Sequence, residues 1–334
     1  MQWLDLKKTL RRTSAPLAMV LPFALWGTAM AAMKPLLLAG SPLHVATLRL
    51  LPAGVVLLLA ALALGRSAQV DPADRGWLVC FALVDGTLFQ WLLTNGLGQT
   101  GAGLGSVLID SQPLMVALLA RTLFGEAINP VGWAGLLLGL LGILCLGLPG
   151  EVLSHWWLQA PSALGVQAWS HGELWMLGAA AAMAVGTVLS RYASRRSDPV
   201  AITAWHMLIG SVPLLAGVLL QAIGILGQPA PLWPGWNGLE WALAAYAALL
   251  GSAVAYGLFF LFANSGDLTG FTALTFLTPV FALLCGVLLL NEQLRPLQWL
   301  GAALALVSVL LINRRTAIWE GGPPLRLNLD EGRP

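Results

Sequence analysis

Long apolar stretches separated by short polar breaks dominate this sequence. After a polar, basic start at 1–15 (Lys7, Lys8, Arg11, Arg12), the first apolar run extends from Pro16 to Leu38, broken only by Lys34 near its end. Further runs occupy roughly 43–64, 76–98, 102–124, 130–148, 173–193, 200–222, 239–263, 268–290 and 297–313. Each approaches the ~20 residues that an α-helix needs to cross ~30 Å of hydrocarbon. Ala29–Met30–Ala31 looks like a signal-peptide cleavage site, but the run is long for a signal's apolar core and a related segment returns in the second half. The pattern predicts an all-α polytopic membrane protein with ten transmembrane helices.

Composition agrees. Of 334 residues, 58% are hydrophobic and 10% charged, with mean hydropathy +0.79. A soluble domain carries about 25% charged residues, so a water-soluble globule is excluded. Cys80, Cys145 and Cys285 each sit in an apolar run without CxxC or Cys/His spacing and read as small core residues.

The runs form two copies of one module. At a constant shift of 166, Pro113 falls on Pro279, Glu126 on Glu292, Pro130 on Pro296, Trp133 on Trp299 and Gly135 on Gly301. Gly27–Thr28 resembles Gly186–Thr187, and Pro42 with Arg49 resembles Pro199 with His206. Five helices per copy is an odd number, so the second copy enters from the opposite face. The expected organisation is an N-terminal tail (1–15), a first repeat (16–148), an outer loop (149–172), a second, inverted repeat (173–313) and a C-terminal tail (314–334). Inverted repeats around a midplane cavity are a common plan of secondary transporters.

Charge placement gives the orientation. With a cytoplasmic N-terminus, all Lys and Arg except Lys34, Arg49 and Arg295 fall on the cytoplasmic side, and the loops 149–172 and 223–238 carry none. Both termini are expected in the cytoplasm. Trp77, Trp133, Trp175, Trp241 and Trp299 stand at helix starts, where indoles anchor at the headgroups. Loop 149–172 is expected to lie on the outer interface as an amphipathic piece, and 319–334 to be disordered.

Ionisable groups inside a bilayer are costly and mark function. Arg49, Asp85, Asp110 and His206 are such groups. Pairing of Arg49 with Asp110 or Asp85 is expected, because an unpaired buried charge is strongly disfavoured. Two aspartates against one arginine leave a carboxylate for a cationic group or a coupling proton. His206 serves equally as a packing residue or a proton relay. Pro113 and Pro279 are expected to kink their helices, freeing the carbonyls of Ile109 and Thr275 for a site or gate. Ser106 and Asp110 share a face with Pro113, and Thr272, Thr275 and Thr278 crowd the matching helix. Trp26, Gln90, Trp91 and Tyr256 are candidates for a cavity wall. Glu126 and Glu292 are expected to fix short connections at the repeat ends through backbone amides.

No Walker A, HExxH, GxSxG or CxxC motif is present. The reading is therefore not an enzyme, with no cofactor, metal or nucleic acid implied. Its partners are a small-molecule substrate, the lipid bilayer and protons; oligomeric state is not encoded legibly.

The paired segments SQPLMVALLARTLFGEAINPVGWAGLLLGLLGI and LTPVFALLCGVLLLNEQLRPLQWLGAALALVSV, with ALWGT at 24–28, Pro42 and Arg49, resemble the EamA family of the drug/metabolite transporter superfamily over roughly 16–313. The resemblance implies a cytoplasmic-membrane exporter of amino acids or similar metabolites, driven by a gradient through a central cavity. It carries the family's second-helix arginine to Arg49, its prolines to Pro113 and Pro279 and its glutamates to Glu126 and Glu292. Asp85 and Asp110 depart from the apolar or weakly polar residues expected there, which points to a cationic substrate or proton coupling. Two alternatives stay open: a membrane-embedded enzyme acting on lipid or prenyl chains through Asp85 and Asp110, and an accessory protein without flux.

Overall fold

A computed structural model of the chain describes residues 2–100, 108–147, 171–226, 229, 231–290 and 295–320. Ser106, Glu292, the loop at 148–170 and the tail beyond 320 lie outside the described residues. The described chain is all helical. Among these residues, eight helices are long and apolar enough to span a membrane, and two shorter apolar helices complete the ten.

The first repeat comprises α1 (Gln2–Ala39), α2 (Pro42–Ala63), α3 (Arg75–Gln99), α4 (Gln112–Phe124) and α5 (Pro130–Gly147). The second comprises α6 (His171–Ala193), α7 (Pro199–Ala222), α8 (Gly238–Ala263), α9 (268–290) and α10 (Pro296–Asn313). A short α11 (Arg315–Glu320) follows. The basic start expected as a separate tail is helical and continuous with α1, because nothing between Gln2 and the apolar run breaks the helix.

Helix starts repeat with the sequence. Ser41 accepts from the His44 amide ahead of Pro42, and Asp198 accepts from the Val200 and Ala201 amides ahead of Pro199. In both, proline fills the first turn, where its missing N–H has no intrahelical role. The outer surface is apolar where lipid would lie, with Leu59, Leu118, Val212 and Leu306 exposed, and Cys80 faces outward rather than into the core.

Glycine lets helices touch at the backbone. A Cβ on Gly142 would lie 2.8 Å from the Ala305 nitrogen, and one on Gly301 would lie 2.6 Å from the Gly142 oxygen. Ser308 Oγ donates to the Gly135 carbonyl across the same contact. The last helices of the two repeats, α5 and α10, are thereby docked on each other. The Gly27/Gly186 parallel has the same meaning: Gly27 sets α1 against the Thr278 carbonyl of α9, and Gly186 sets α6 against Asp85 of α3.

Two features depart from the expected straight or kinked helices. In α3, Ala82–Phe89 is π-helical, and in α8 the matching Leu249–Val254 is too. The prolines break rather than kink. The chain turns at Asp110–Ser111, and Pro113 lies in the first turn of α4. Its partner α9 runs as Leu268–Thr272, a 3-10 segment Ala273–Leu277 and then Thr278–Leu290, with Pro279 again near the start. A first-turn proline costs no hydrogen bond, so a clean break is the cheaper solution than an interior kink.

Candidate functional site

A cavity of about 450 Å³ of non-atom space lies between the two repeats. The first repeat contributes Trp26, Met30, Met33, Arg49, Phe89, Leu93, Ile109, Asp110 and Gln112; the second contributes Met183, Tyr256, Thr275 and Thr278. Both helix breaks open onto the cavity, through Ile109 and Asp110 on one side and Thr275 and Thr278 on the other.

Arg49 is the centre of the polar wall. Its Nε donates to Ser252 Oγ at 2.8 Å, and its Nη1 to Gln90 Oε1 and Met33 Sδ, both at 3.3 Å. Tyr256 Oη is 3.5 Å from Nη2, and the guanidinium carbon stands 5.7 Å from that ring's centroid. Ser252 spends its own proton on the Ala247 carbonyl five residues back, a π-helical spacing that leaves its lone pair for Arg49. Gln90 Nε2 donates to Tyr256 Oη at 3.2 Å. Ser252, Gln90, Met33 and Tyr256 thus hold the buried guanidinium in place.

Asp85, one of the two carboxylates expected beside Arg49, is paired with His206 instead. Ion pairs among the described residues include Arg66–Asp198, Arg191–Glu126, His206–Asp85 and Arg315–Asp267. Asp85 meets His206 at 3.1 Å because the π turn of α3 aims it at α7, away from the cavity. His206 is stacked on Phe81, with ring centroids 4.1 Å apart. Asp110 lines the cavity with Arg49.

Trp26 and Tyr256 lie on the wall with rings 5.0 Å apart, whereas Gln90 stands behind it as the brace of Arg49. Trp91 packs edge-on to Trp175 instead. Three buried donors at the cavity, Trp26 Nε1, Thr275 Oγ1 and Thr278 Oγ1, have no hydrogen-bond partner among the described residues. Unmet polar atoms in an otherwise apolar chamber are what a polar ligand satisfies. Met33, Ser252 and Gln112 are the contributors that sequence reasoning missed. The 166-residue shift would have flagged one of them, since it sets Ser252 opposite Gly86 in the two π segments.

Glu126 accepts from backbone amides as expected, but not those of its own connection. It receives the Leu268 and Thr269 amides and Thr269 Oγ1, capping α9 of the other repeat, with Arg191 3.6 Å away. Further links at this end of the bundle, where α1 begins, run between the repeats: Arg66 to Asp198, Asp74 to the Arg196 amide and Ser197, and Asn129 to the Arg315 carbonyl.

With this geometry in view, comparison with known proteins is decisive. Residues 13–148 and 170–314 each match the EamA-like transporter family. The chain belongs to the EamA-like transporter family. A protein from Synechocystis sp. named an uncharacterized transporter is 52% identical over 315 residues, 92% of each chain. A chloroplastic WAT1-related protein of Arabidopsis thaliana is 44% identical over 304 residues, 88% of this chain and 68% of that one. YedA of Escherichia coli, named an uncharacterized inner membrane transporter, is 25% identical over 309 residues. A crystal structure with TM-score 0.70 and 21% identity covers 92% of this chain and 99% of its own, and shares the fold. This EamA chain is a multi-pass membrane protein of a transporter family.

Proposed function

We propose that the protein is a secondary transporter that exports small metabolites by alternating access, with amino acids and related compounds, cationic ones included, as the substrate class. The carrying observation is the chamber between the repeats, which combines a fixed guanidinium, a carboxylate and unpartnered donors with Met, Phe and Trp surfaces. Arg49 and the donors of Trp26, Thr275 and Thr278 suit a substrate carboxylate, Asp110 an ammonium, and the apolar wall a hydrophobic side chain. The polar links at the α1 end suit a state closed on that side, which is the cytoplasmic side under the Lys/Arg asymmetry. The site of action is then the cell membrane, with both termini inside. Export against a gradient needs a coupling ion, and proton antiport is the form we favour.

The test is flux in proteoliposomes loaded with labelled amino acids, polyamines or cationic dyes. Saturable efflux of one class, lost in Arg49→Ala, is expected. Absence of flux from the wild-type protein across all three classes would overturn the reading.

A further inference from the structure

Asp85 and His206 lie off the cavity wall, yet they are the described bundle's most deeply buried acid and base, each fully enclosed. We infer that this pair is a proton-binding site on the seam between the repeats, and that it carries the coupling ion. The coupling role rests on the transport reading above; the proton chemistry does not.

The hydrogen bonds set the proton count. The Thr203 carbonyl can only accept, so His206 Nδ1, 2.5 Å away, carries a hydrogen. His206 Nε2 then faces Asp85 Oδ2 at 3.1 Å. Two lone pairs do not face each other at that distance, so one proton lies between them. Whether it is drawn on nitrogen or on oxygen, the closed pair is neutral overall. Loss of that proton leaves a carboxylate against a lone pair, while Asp85 Oδ1 has no partner among the described residues to spread the charge.

Neighbouring elements offer no substitute. α6 presents Gly186 to Asp85, and Phe81 and Phe260 enclose His206. The other ionisable groups whose charge reaches Asp85 are Arg49 of α2 and Tyr256 of α8. Arg49 is engaged by Ser252, Gln90 and Tyr256. A deprotonated pair therefore disfavours the packed seam and favours its separation.

The seam itself is tight. A Cβ on Gly86 would lie 2.8 Å from the His206 carbonyl, and one on Gly210 would lie 2.6 Å from the Ala82 carbonyl. Water reaches the pair when α3 parts from α6 and α7, which belong to opposite repeats. Uptake is H⁺ from hydronium onto the open pair, giving water and the closed pair; release on the other side is the reverse. Only an N–H or O–H bond forms and breaks, and no redox partner is needed. The link to substrate runs along α3: Gln90, five residues beyond Asp85 and just past the π segment, holds both Arg49 and Tyr256.

Full-length protein in lipid vesicles, without substrate, is stepped from acidic to alkaline pH in weak buffer and the released protons are counted. Wild type should release about one proton per chain more than either Asp85→Asn or His206→Gln. Equal release from all three overturns the site. Should a variant fail to fold, NMR of wild-type protein labelled at histidine nitrogen decides: His206 should keep its hydrogen on Nδ1 at every pH, and an Nε2–H tautomer overturns the assignment. In vesicles with labelled amino acids, the variants should retain exchange at equal concentrations but lose pH-driven accumulation at least tenfold. Accumulation that survives in both variants overturns the coupling role. If the wild type moves nothing, the transport reading falls while the proton count still decides the site.

Discussion

Gln90 and Tyr256, which donate and accept across 3.2 Å between the two repeats, are 166 residues apart, the same shift that aligns the repeat ends. Equivalent residues touch each other only on the axis relating their repeats, so this bond marks the pseudo-twofold axis, and Arg49 binds both of its ends.

Tyr256→Phe removes the hydroxyl and strands the Gln90 amide. A cost of about 1 kcal/mol is expected for one lost net hydrogen bond. It should appear as a lower melting temperature in detergent, together with a raised KM for the transported substrate. Wild-type values for both would mean that the axis bond is incidental.

Arg49→Lys keeps the charge but not the fork. An ammonium cannot span Ser252, Gln90 and Tyr256 at once. We expect folded protein with at least tenfold slower flux in proteoliposomes. Near-wild-type flux in Arg49→Lys would show that charge alone suffices.

Glu126→Ala deprives the first turn of α9 of its acceptor. The Leu268 and Thr269 amides lose charge-assisted partners, a destabilisation of roughly 1–3 kcal/mol. Hydrogen exchange should quicken at Leu268 and Thr269 well before it does in α5 or α10. Unchanged exchange at those amides would refute the cap across the repeats.

Gly186→Ala places a methyl group 2.6 Å from Asp85 Cβ, whereas a Cβ on Gly178 of the same helix meets nothing closer than Leu92 at 3.4 Å. Overpacking of this kind costs typically 1–3 kcal/mol. Gly186→Ala should melt markedly lower than wild type and Gly178→Ala close to it. Equal melting of the two variants would mean that α6 shifts freely away from Asp85.

The ten helices were legible because an apolar run of spanning length can be little else, and the repeat was legible because prolines and glutamates in apolar sequence are rare enough to align. The π segments were not. Ala82–Phe89 is apolar on every side except Asp85, and a change of helical period leaves no trace where all faces look alike. Asp85 was expected as a partner for Arg49 on charge alone, but the extra residue in that π turn swings it toward His206, a rotation that counting along an α-helix cannot foresee. Pro113 and Pro279 were expected to kink their helices. Their first-turn placement depends on the break at Asp110–Ser111, which no residue type announces.

Arg49 and His206 hold matching places in the two copies, each seven residues after the proline that opens its helix. In a perfectly duplicated chain, the two rocked conformations would be related by symmetry and equal in energy. Here one copy keeps a guanidinium held by Ser252 and Gln90, and the other an imidazole held between Asp85 and the Thr203 carbonyl. Under the transport reading, that difference makes the two orientations unequal in energy.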